Sequence, residues 1–417
     1  MKEGTVIKSE KNPVIPGKGV CDPHLQVFKD KIYMFCSHDT SVENTTYHMQ
    51  DWHIWSTVDF REWTLECVVK PESFFMGKCS DCWAIDALEK DGKYYLYYSN
   101  KNIQTGVAVA NHPEGPYIDA KGSPILDGNL TNTPEYDPAV FTDEDGSSYI
   151  VFGGPKWAYG KGAGYYIAKL AESRIELAEK PRRLQVDHEA DDKASLNKIG
   201  GTYYLSWGSF YAISDSIYGP YKFIGNTGAS EDHGSYVEYN GQLFNSFTVF
   251  DPTMVHRASG VCYVHQRANK ELVVDELIVE YGVGHYDTNW NKIQSQWYMC
   301  QEQMKKVENP RYGFDMLTSE KGTLWYPNLE NTKGKKGISF FASSSSEQGA
   351  RIEVREQKDG TIIGSCEVKG TGSSWRSYCM FPCILDKEIG NNLHLTIEVI
   401  GSGEARLDYF KFFKKNN

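Results

Sequence analysis

The chain has 417 residues, with 55 acidic against 44 basic side chains and a formal net charge of -11. This length is too great for one ordinary hydrophobic core and predicts two folding units. The sequence shows no basic stripe that would neutralise phosphates, so we do not expect nucleic acid as a partner and favour an uncharged, hydroxyl-rich one.

The sequence contains no run of about 18 apolar residues that could span a membrane, and its first residues lack the apolar core of a secretion signal. Ten cysteines are scattered along the chain, which favours free thiols in a reducing compartment over a disulfide framework. We therefore expect a cytoplasmic protein. A periplasmic or secreted location is the alternative if a leader has been removed.

A short pattern recurs five times along the first part of the chain: a turn residue, a run of aromatic and β-branched residues, and then a small residue. The five copies span residues 29–37, 92–99, 146–153, 201–208 and 241–248. Their spacing of roughly 40 to 60 residues is the length of a four-stranded blade. The repeat, together with an aromatic content of 13%, predicts an all-β fold with a five-bladed β-propeller.

The repeat stops near residue 293, and a different pattern of alternating strands follows it. These strands include residues 337–342, 350–355, 393–399 and 407–412. Alternation with short turns between the strands is typical of a β-sandwich. We therefore expect a propeller over residues 1–293 and a β-sandwich (jelly-roll) domain over residues 294–417.

Three aspartates stand ahead of copies of the repeat, where the first strand of a blade would line the central channel. Asp22 precedes the first copy, Asp137 the third and Asp192 the fourth. A single Asp-Pro is common in ordinary turns, but three carboxylates at equivalent positions favour a shared site. Inverting hydrolysis of a glycosidic bond needs a carboxylate base and a protonated acid, and a third carboxylate can keep the pKa of the acid high.

The motifs around these residues resemble those of glycoside hydrolase family 43, over about the first 290 residues. They are Asp22-Pro-His and the segments 83–99, 136–141 and 196–206. The resemblance implies a five-bladed propeller that cleaves plant-type oligosaccharides or polysaccharides by inverting, mostly exo-acting hydrolysis. It also implies that Asp22 is the general base and that Asp137 tunes and orients the acid.

The expected acid departs from the family pattern, which usually has a Glu followed by Gly-Pro or Ala-Pro ahead of the fourth inner strand. Counting back from that strand places Asp192 at the Glu position. Because Asp is one methylene shorter, it would have to reach the glycosidic oxygen from a shifted backbone. Asp191 and then Glu189 are the alternatives for the acid, and a solvated acidic loop is the non-catalytic interpretation.

Six more residues are predicted to contact substrate near the channel: His38, Asp39, Trp83, Asp86, Trp207 and Tyr211. For the last two, packing between blades is the alternative to stacking on a sugar. His233 resembles a histidine that holds a calcium or another ion near the propeller centre in many family members, with a structural histidine as the alternative. Hydrolysis by the three carboxylates requires no cofactor.

Residues 294–417 are similar to a family-6 carbohydrate-binding module, through the segments 350–355, 372–378 and 403–412. The resemblance implies that Trp375 stacks on sugar. Residues 404–406 are Glu-Ala-Arg where such modules have an Asn, so packing is the alternative to sugar binding.

The function that the resemblance favours is an exo-acting α-L-arabinofuranosidase, followed by a β-xylosidase and an exo-β-galactosidase. From a different class, a non-catalytic glycan-binding propeller is the alternative, because Asp replaces the expected Glu. A glycoside phosphorylase would need a cluster of Arg and Lys at the channel mouth, and the candidate loops show none.

Overall fold

The computed structural model describes residues 1–229, 232–309, 311, 313–372 and 377–414, without the side chains of residues 156, 157 and 161. Trp375 therefore lies outside the described residues. Nearly all regular structure is β, which confirms the all-β prediction. Contacts divide the chain into two compact units: residues 1–239, 243–266 and 271–282 form the first, and residues 240–242, 267–270 and 283–417 the second. The domain boundary predicted at residue 293 stays a prediction.

Five antiparallel sheets follow one another in the first unit. The first sheet contains β1 (Val6–Lys8), β2 (Val20–Phe28), β3 (Lys31–Asp39), β4 (Met49–Thr57) and β5 (Glu62–Val69), and the second contains β6 (Ile85–Lys90), β7 (Lys93–Asn100), β8 (Gln104–Ala110) and β9 (Ile118–Asp119). The third contains β10 (Ala139–Thr142), β11 (Ser148–Gly154), β12 (Gly164–Lys169) and β13 (Arg182–Arg183). The fourth contains β14 (Ala194–Ile199), β15 (Thr202–Trp207), β16 (Phe210–Ser214) and β17 (Lys222–Asn226), and the fifth contains β18 (Gly234–Tyr239), β19 (Gln242–Val249), β20 (Ala258–Gln266) and β21 (Leu272–Val274). Strands pair in chain order, except that β1 joins the outer edge beside β5.

Helical structure in the described residues is limited to short segments between strands. They are the 3-10 turns Pro71–Ser73 and Gly160–Gly162 and the helices α1 (Lys156–Tyr159) and α2 (Glu276–Tyr281). Neither helix is long and apolar enough to cross a membrane.

The first strands of the five sheets contact one another in a ring. The neighbouring pairs are β2 with β6, β6 with β10, β10 with β14, β14 with β18, and β18 with β2. Hydrogen bonds close the ring between the last sheet and the first: Ser235 Oγ accepts from the backbone N–H of Leu25 at 2.9 Å, and Ser246 Oγ donates to the carbonyl of Pro23 at 2.9 Å. A closed ring of five sheets, four of them four-stranded and the first with β1 added at its outer edge, is the architecture of a five-bladed propeller.

The recurring sequence pattern corresponds to the second strand of each sheet, β3, β7, β11, β15 and β19. These strands carry apolar residues on both faces because each sheet packs between two others. Trp52 and Tyr98 fill the space between the first two sheets, and Leu205 and Trp207 the space between the third and fourth. Burying each large apolar side chain contributes about 1.5–3 kcal/mol, so the sheets form a stable frame for the loops at the channel mouth.

The second unit contains two six-stranded sheets. One has β22 (Tyr286–Asp287), β24 (Cys300–Glu302), β27 (Lys321–Glu330), β29 (Ala350–Glu356), β30 (Ile362–Val368) and β32 (Leu393–Gly401). The other has β23 (Ile293–Gln294), β25 (Lys305–Glu308), β26 (Phe314–Thr318), β28 (Gly337–Ser344), β31 (Cys379–Ile384) and β33 (Ala405–Phe413). The rings of Tyr326 in the first sheet and Phe410 in the second lie 5.0 Å apart in an edge-on arrangement.

Candidate active site

A cavity of about 300 Å3 opens where the first strands of the propeller blades begin. Its polar wall consists of Asp137, Asp191, Asp192, Asp232, His233 and Arg257, and the rest of its lining is Tyr47, Trp83, Tyr136, Pro155, Tyr159 and Phe250. Pockets that bind small molecules combine an apolar, aromatic lining with a few convergent polar groups. Sugar rings suit such a wall, because they carry hydroxyls at their edge and apolar C–H groups on their faces.

Two of the predicted aspartates share an uncommon backbone conformation. Asp22 has a φ of 52° and Asp137 a φ of 50°, and a proline follows each of them. A positive φ is uncommon outside glycine, although Asp tolerates it better than most residues. Such conformations cluster at functional sites, where the surrounding structure holds a side chain in a required direction. The repeated Asp-Pro therefore directs both carboxylates toward the channel mouth from equivalent positions in two blades.

Asp22 is fully buried on β2 behind the cavity wall. Its two oxygens accept hydrogen bonds from Arg257, with distances of 2.6 Å from Nη1 and 3.3 Å from Nη2. His233 Nδ1 lies 3.3 Å from Asp22 Oδ1. This bidentate pairing with a guanidinium holds the Asp22 carboxylate in one orientation.

Asp137 is held in one orientation between the second and third blades. Its Oδ1 accepts a hydrogen bond of 2.9 Å from the backbone N–H of Ala84, and its Oδ2 lies 3.4 Å from His233 Nε2. The side chain is almost completely buried. The Asp137 carboxylate is therefore a fixed charge beside the other carboxylates of the site.

Asp192 reaches the same histidine from the fourth blade. Its Oδ1 accepts a hydrogen bond of 2.9 Å from the backbone N–H of Lys193 and lies 3.9 Å from His233 Nε2. The exposed 39% of the side chain faces the cavity. Burial in the cavity wall raises the pKa of Asp192 to about 8, and the charges of Asp232 and Asp137 add to this effect while His233 opposes it. The surroundings of Asp192 thus favour its protonated form, as a general acid requires.

Asp232 and His233 carry opposite charges next to each other. His233 Nδ1 lies 2.7 Å from Asp232 Oδ1. Burial works against the charged form of His233, but Asp22, Asp192 and Asp232 outweigh it and raise the pKa well above its usual range. Burial also opposes the charge of Asp232, but His233 and Arg257 hold its pKa far below normal. The histidine is therefore an imidazolium at the centre of a group of carboxyls.

Arg257 is the second buried cation of the site, with 2% of its side chain exposed. Besides Asp22 it contacts Asp39, with 3.1 Å from Nε to Oδ2, and Asp232, with 3.4 Å from Nη1 to Oδ2. The ring of Tyr47 lies over the guanidinium at 4.6 Å. The site thus contains more carboxyls than cations, which favours a retained proton on one carboxyl and stabilises positive charge developing on a bound sugar.

Comparison with known proteins identifies the family. The profile of "Glycosyl hydrolases family 43" matches residues 10–244. The chain belongs to glycosyl hydrolase family 43. This family 43 protein is accordingly a glycoside hydrolase of an inverting family, which confirms the enzyme class predicted from the motifs.

The family 43 chain has curated relatives with named activities. It is 30% identical to a xylosidase/arabinosidase from Bacteroides ovatus, over 52% of this chain and 81% of that protein. It is 23% identical to an arabinoxylan arabinofuranohydrolase from Bacillus subtilis (strain 168), over 88% of this chain and 85% of that protein.

One solved structure shares 27% identity with a TM-score of 0.55: a family 43 β-xylosidase/α-arabinofuranosidase from a compost microbial metagenome, in complex with xylotriose in a calcium-free form. The match covers 64% of this chain and 98% of that one. An arabinoxylan arabinofuranohydrolase from Bacillus subtilis has a TM-score of 0.56 at 18% identity, over 97% of both chains, which shows the fold alone.

Several donor atoms surround the place of the ion predicted at His233. His233 belongs to two groups of converging side chains, one with Asp22 and Asp232 and one with Asp137 and Asp192. However, both of its ring nitrogens face carboxylates. A metal ligand needs a free nitrogen lone pair, and calcium prefers oxygen donors. An ion bound by these carboxylate oxygens would take the place of the proton on His233, so the ion stays a prediction, with a structural histidine as the alternative.

Trp83 is the predicted substrate-contacting residue that lines the cavity. Its backbone carbonyl accepts a hydrogen bond of 2.6 Å from Trp52 Nε1. The rings of Tyr47 and Trp83 lie edge-on to each other with centroids 5.5 Å apart. The buried Trp52 thus fixes the backbone that carries the half-buried Trp83.

Asp39 and Asp86 do not face the cavity, and the prediction that they contact sugar is wrong for this arrangement. Asp39 is fully buried and bound to Arg257. Asp86 is fully buried on β6, where it accepts hydrogen bonds of 2.9 Å from Gln26 and 2.7 Å from the backbone N–H of Val140. Their oxygens hold neighbouring strands and a cation in place and are not available to a ligand.

His38 also lies outside the cavity lining. Its Nδ1 lies 2.6 Å from Asp51 Oδ1, and its ring stacks on that of His53 with centroids 4.0 Å apart. Asp51 is further paired with Lys70. This separate group of polar side chains lies in the first blade, where the contacts of His38 are with protein groups outside the cavity.

Trp207 and Tyr211 are each only 2% exposed, and the prediction of a stacking floor is wrong. Trp207 packs between the third and fourth blades. The hydroxyl of Tyr211 accepts a hydrogen bond of 2.9 Å from the backbone N–H of Leu272. The alternative, packing between blades, is what the structure shows.

The sequence did not point to Arg257, to Asp232 as part of the site, or to the aromatic residues Tyr47, Tyr159 and Phe250. Asp232 and Tyr136 stand next to His233 and Asp137 in the quoted motifs, so that adjacency was an available signal. Arg257 and Tyr47 come from loops outside the first strands, and nothing in their local sequence marks them.

Proposed function

We propose that this family 43 protein removes terminal α-L-arabinofuranosyl residues by inverting hydrolysis, with Asp192 as the general acid, Asp22 as the general base and Asp137 as the residue that tunes the acid. The observation that carries the proposal is the difference between two carboxyls around one histidine. Asp192 holds a proton, with a pKa raised to about 8 chiefly by burial, whereas Asp22 is paired with Arg257.

The contacts of the two carboxyls with one histidine set an upper bound on their spacing, and inversion itself rests on the family. Contacts of 3.3 Å and 3.9 Å join Asp22 and Asp192 to opposite nitrogens of His233. One imidazole ring and two such contacts keep the oxygens within the upper limit of the range of about 6.5–9.5 Å found in inverting enzymes. That range leaves room for the attacking water between the base and the sugar.

In the proposed reaction Asp192 donates its proton to the glycosidic oxygen as the bond to the leaving sugar breaks. A water on the opposite face attacks the anomeric carbon and gives its proton to Asp22. Asp22 is fully buried and paired with Arg257, so its role as the base requires that a water molecule reaches this carboxylate when the sugar is bound.

The preference for arabinofuranose rests on the relatives and on the shape of the cavity. The proteins named xylosidase/arabinosidase and arabinoxylan arabinofuranohydrolase favour a pentose. A cavity of about 300 Å3 is at the small end of ligand pockets, which supports an exo-acting enzyme that admits a chain end. A β-xylosidase is the second candidate, favoured by the same relatives, and an exo-β-galactosidase is the third.

For the second unit we propose a β-sandwich similar to a carbohydrate-binding module that serves mainly in packing. The contact between Tyr326 and Phe410 supports two sheets that lie face to face. Glu404 and Arg406, near the place of the expected Asn, form an ion pair with each other, which supports packing over sugar binding. Equal retention of the full chain and its Trp375→Ala variant on insoluble arabinoxylan is the expected result, and loss of retention in the variant would contradict it.

The test of the catalytic proposal is hydrolysis of matched arabino-, xylo- and galacto-oligosaccharides, followed by NMR of the first anomer released. We expect arabinose released from chain ends with inverted configuration, and a loss of about 10²–10⁴-fold in kcat for Asp22→Asn and for Asp137→Asn. Asp191→Asn is the control for a carboxylate in the same wall. Near-normal turnover in either variant would overturn that residue's role, and an inactive wild type would support the glycan-binding alternative.

A further inference from the structure

The segment that carries the proposed acid lies between two cavities. Asp191 and Asp192 line the catalytic cavity, while His188, Glu189 and Ala190 line a second cavity of about 320 Å3 on the third and fourth blades. His188 is packed, since its ring stacks on that of Phe223 with centroids 4.0 Å apart. Asp191 and Asp192 face open space on the side of the catalytic cavity, where a void offers no partner atoms, so polar contacts add to the packing that fixes this end of the segment.

The hydroxyl of Tyr165 makes such contacts at both aspartates. It accepts a hydrogen bond of 2.9 Å from the backbone N–H of Asp191 and donates one of 3.1 Å to the backbone carbonyl of Asp192. One hydroxyl thus acts as acceptor toward Asp191 and as donor toward Asp192, the two residues at the tip of the segment. A third hydrogen bond, from the N–H of Lys193 to Asp192 Oδ1, then orients the carboxyl relative to this backbone.

Tyr165 is itself held rigidly. It is the second residue of β12 and only 1% exposed. Its ring lies 5.4 Å from that of Trp207, which is buried in the core between the third and fourth blades. The burial of Trp207 therefore has a consequence for the site, since it supports the tyrosine that holds the acid segment.

We propose that Tyr165 is a positioning residue whose hydroxyl sets the backbone of Asp191 and Asp192 and thereby the reach of the Asp192 carboxyl toward the glycosidic oxygen. The inference rests on the proposed role of Asp192 as the acid. An aspartate has one methylene fewer than a glutamate with which to adjust its reach, so its backbone position matters more. A displacement of about 1 Å at a reacting group can cost about 100-fold in rate.

The experiment compares Tyr165→Phe with Tyr166→Phe. Both changes remove one hydroxyl from neighbouring residues of β12, and successive side chains of a strand point to opposite faces. Tyr166 stacks on Phe152 at 5.9 Å, away from the acid segment. Turnover is measured on arabinotriose and on 4-nitrophenyl α-L-arabinofuranoside, or on the xylose pair if xylose is the preferred sugar. The nitrophenolate departs without a proton, so its release does not depend on the acid.

We expect Tyr165→Phe to lower kcat on the oligosaccharide by about 10- to 100-fold, with less than about a 3-fold change on the nitrophenyl substrate. Tyr166→Phe should leave both substrates unchanged, and both variants should unfold within a few degrees of the wild type. A purely structural role for Tyr165 would lower both activities equally, and this result, or no change at all, would overturn the inference.

Asp192→Ala separates failure of this inference from failure of the proposed function. If Asp192→Ala loses the oligosaccharide selectively while Tyr165→Phe does not, the acid role stands and the positioning role is overturned. If Asp192→Ala cleaves the oligosaccharide as well as the wild type does, the acid has been misassigned and the inference falls with it.

Discussion

The substitution Asp232→Asn tests how the proton is kept on Asp192. Asp232 is hydrogen-bonded to Asp192 and its charge raises the pKa of that carboxyl, which burial and this neighbour bring to about 8. Two charges 4 Å apart interact by about 4 kcal/mol at an effective dielectric constant of 20, which corresponds to about 3 pKa units. His233 and Arg257 already neutralise part of the Asp232 charge, so we expect a decrease of about one to two units.

The sign of the effect on activity follows from the state of the acid. Asp192 is active while protonated, so turnover of an oligosaccharide falls as the pH rises through its pKa. Loss of the Asp232 charge lowers that pKa, so the alkaline limb of the pH profile moves to lower pH. Asp232→Asn therefore loses more activity at alkaline pH than it does near pH 5.

The assay is the pH dependence of kcat/KM on an unactivated oligosaccharide for the wild type, Asp232→Asn and Asp191→Asn. Asp191 lines the same cavity and controls for removal of a nearby carboxylate. The asparagine at position 232 can still accept the hydrogen bond from His233 Nδ1, so the histidine keeps a partner. An alkaline limb that stays in place in Asp232→Asn, or that moves equally in Asp191→Asn, would show that the Asp232 charge does not keep the proton on Asp192.

Three further predictions concern stability and binding. Arg257→Ala leaves buried carboxylates without their cation and should lower the free energy of unfolding by about 3–5 kcal/mol, measured with denaturant. The control Arg182→Ala breaks an exposed pair with Glu179 and should lower it by at most about 1 kcal/mol. Equal losses in the two variants would contradict the role of burial. The raised pKa of Asp192 makes the wild type less stable as the pH rises from about 4 toward about 8, so Asp192→Asn should gain melting temperature relative to the wild type over that window, and a constant difference would show that no proton is held there. Trp83→Ala should raise KM by about 3- to 10-fold through loss of stacking with a smaller change in kcat, and an unchanged KM would remove Trp83 from the sugar site.

The repeat and the Asp-Pro motifs carried most of what could be predicted. Five copies of one strand pattern were enough to count five sheets, because each blade needs a second strand that is apolar on both faces. Asp22 and Asp137 were found by their equivalent places in two blades, and the structure brings both to His233. Equivalent positions in successive repeats can be recognised from the sequence alone.

The residues that could not be predicted from the sequence are those whose contacts form only on folding. Arg257 comes from a loop far from Asp22 in the chain, and only folding brings the two together. Trp207 and Tyr211 have the composition of sugar-stacking residues, but burial decides between stacking and packing, and burial depends on the neighbouring blade. Asp39 and Asp86 stand at inner strands as expected, yet a buried carboxylate needs partners, and those partners leave no oxygen for a ligand.

The role of Asp192 as the acid of this family 43 enzyme is best tested with two substrates that differ in their leaving group. The quantity compared is the loss of kcat that Asp192→Ala causes on each. Wild type and variant are compared on arabinotriose and on 4-nitrophenyl α-L-arabinofuranoside, with the xylose pair run in parallel. We expect a loss of about 10²–10⁴-fold in kcat on the oligosaccharide and a much smaller loss on the nitrophenyl substrate. Equal losses on the two substrates, or full activity on the oligosaccharide, would contradict it.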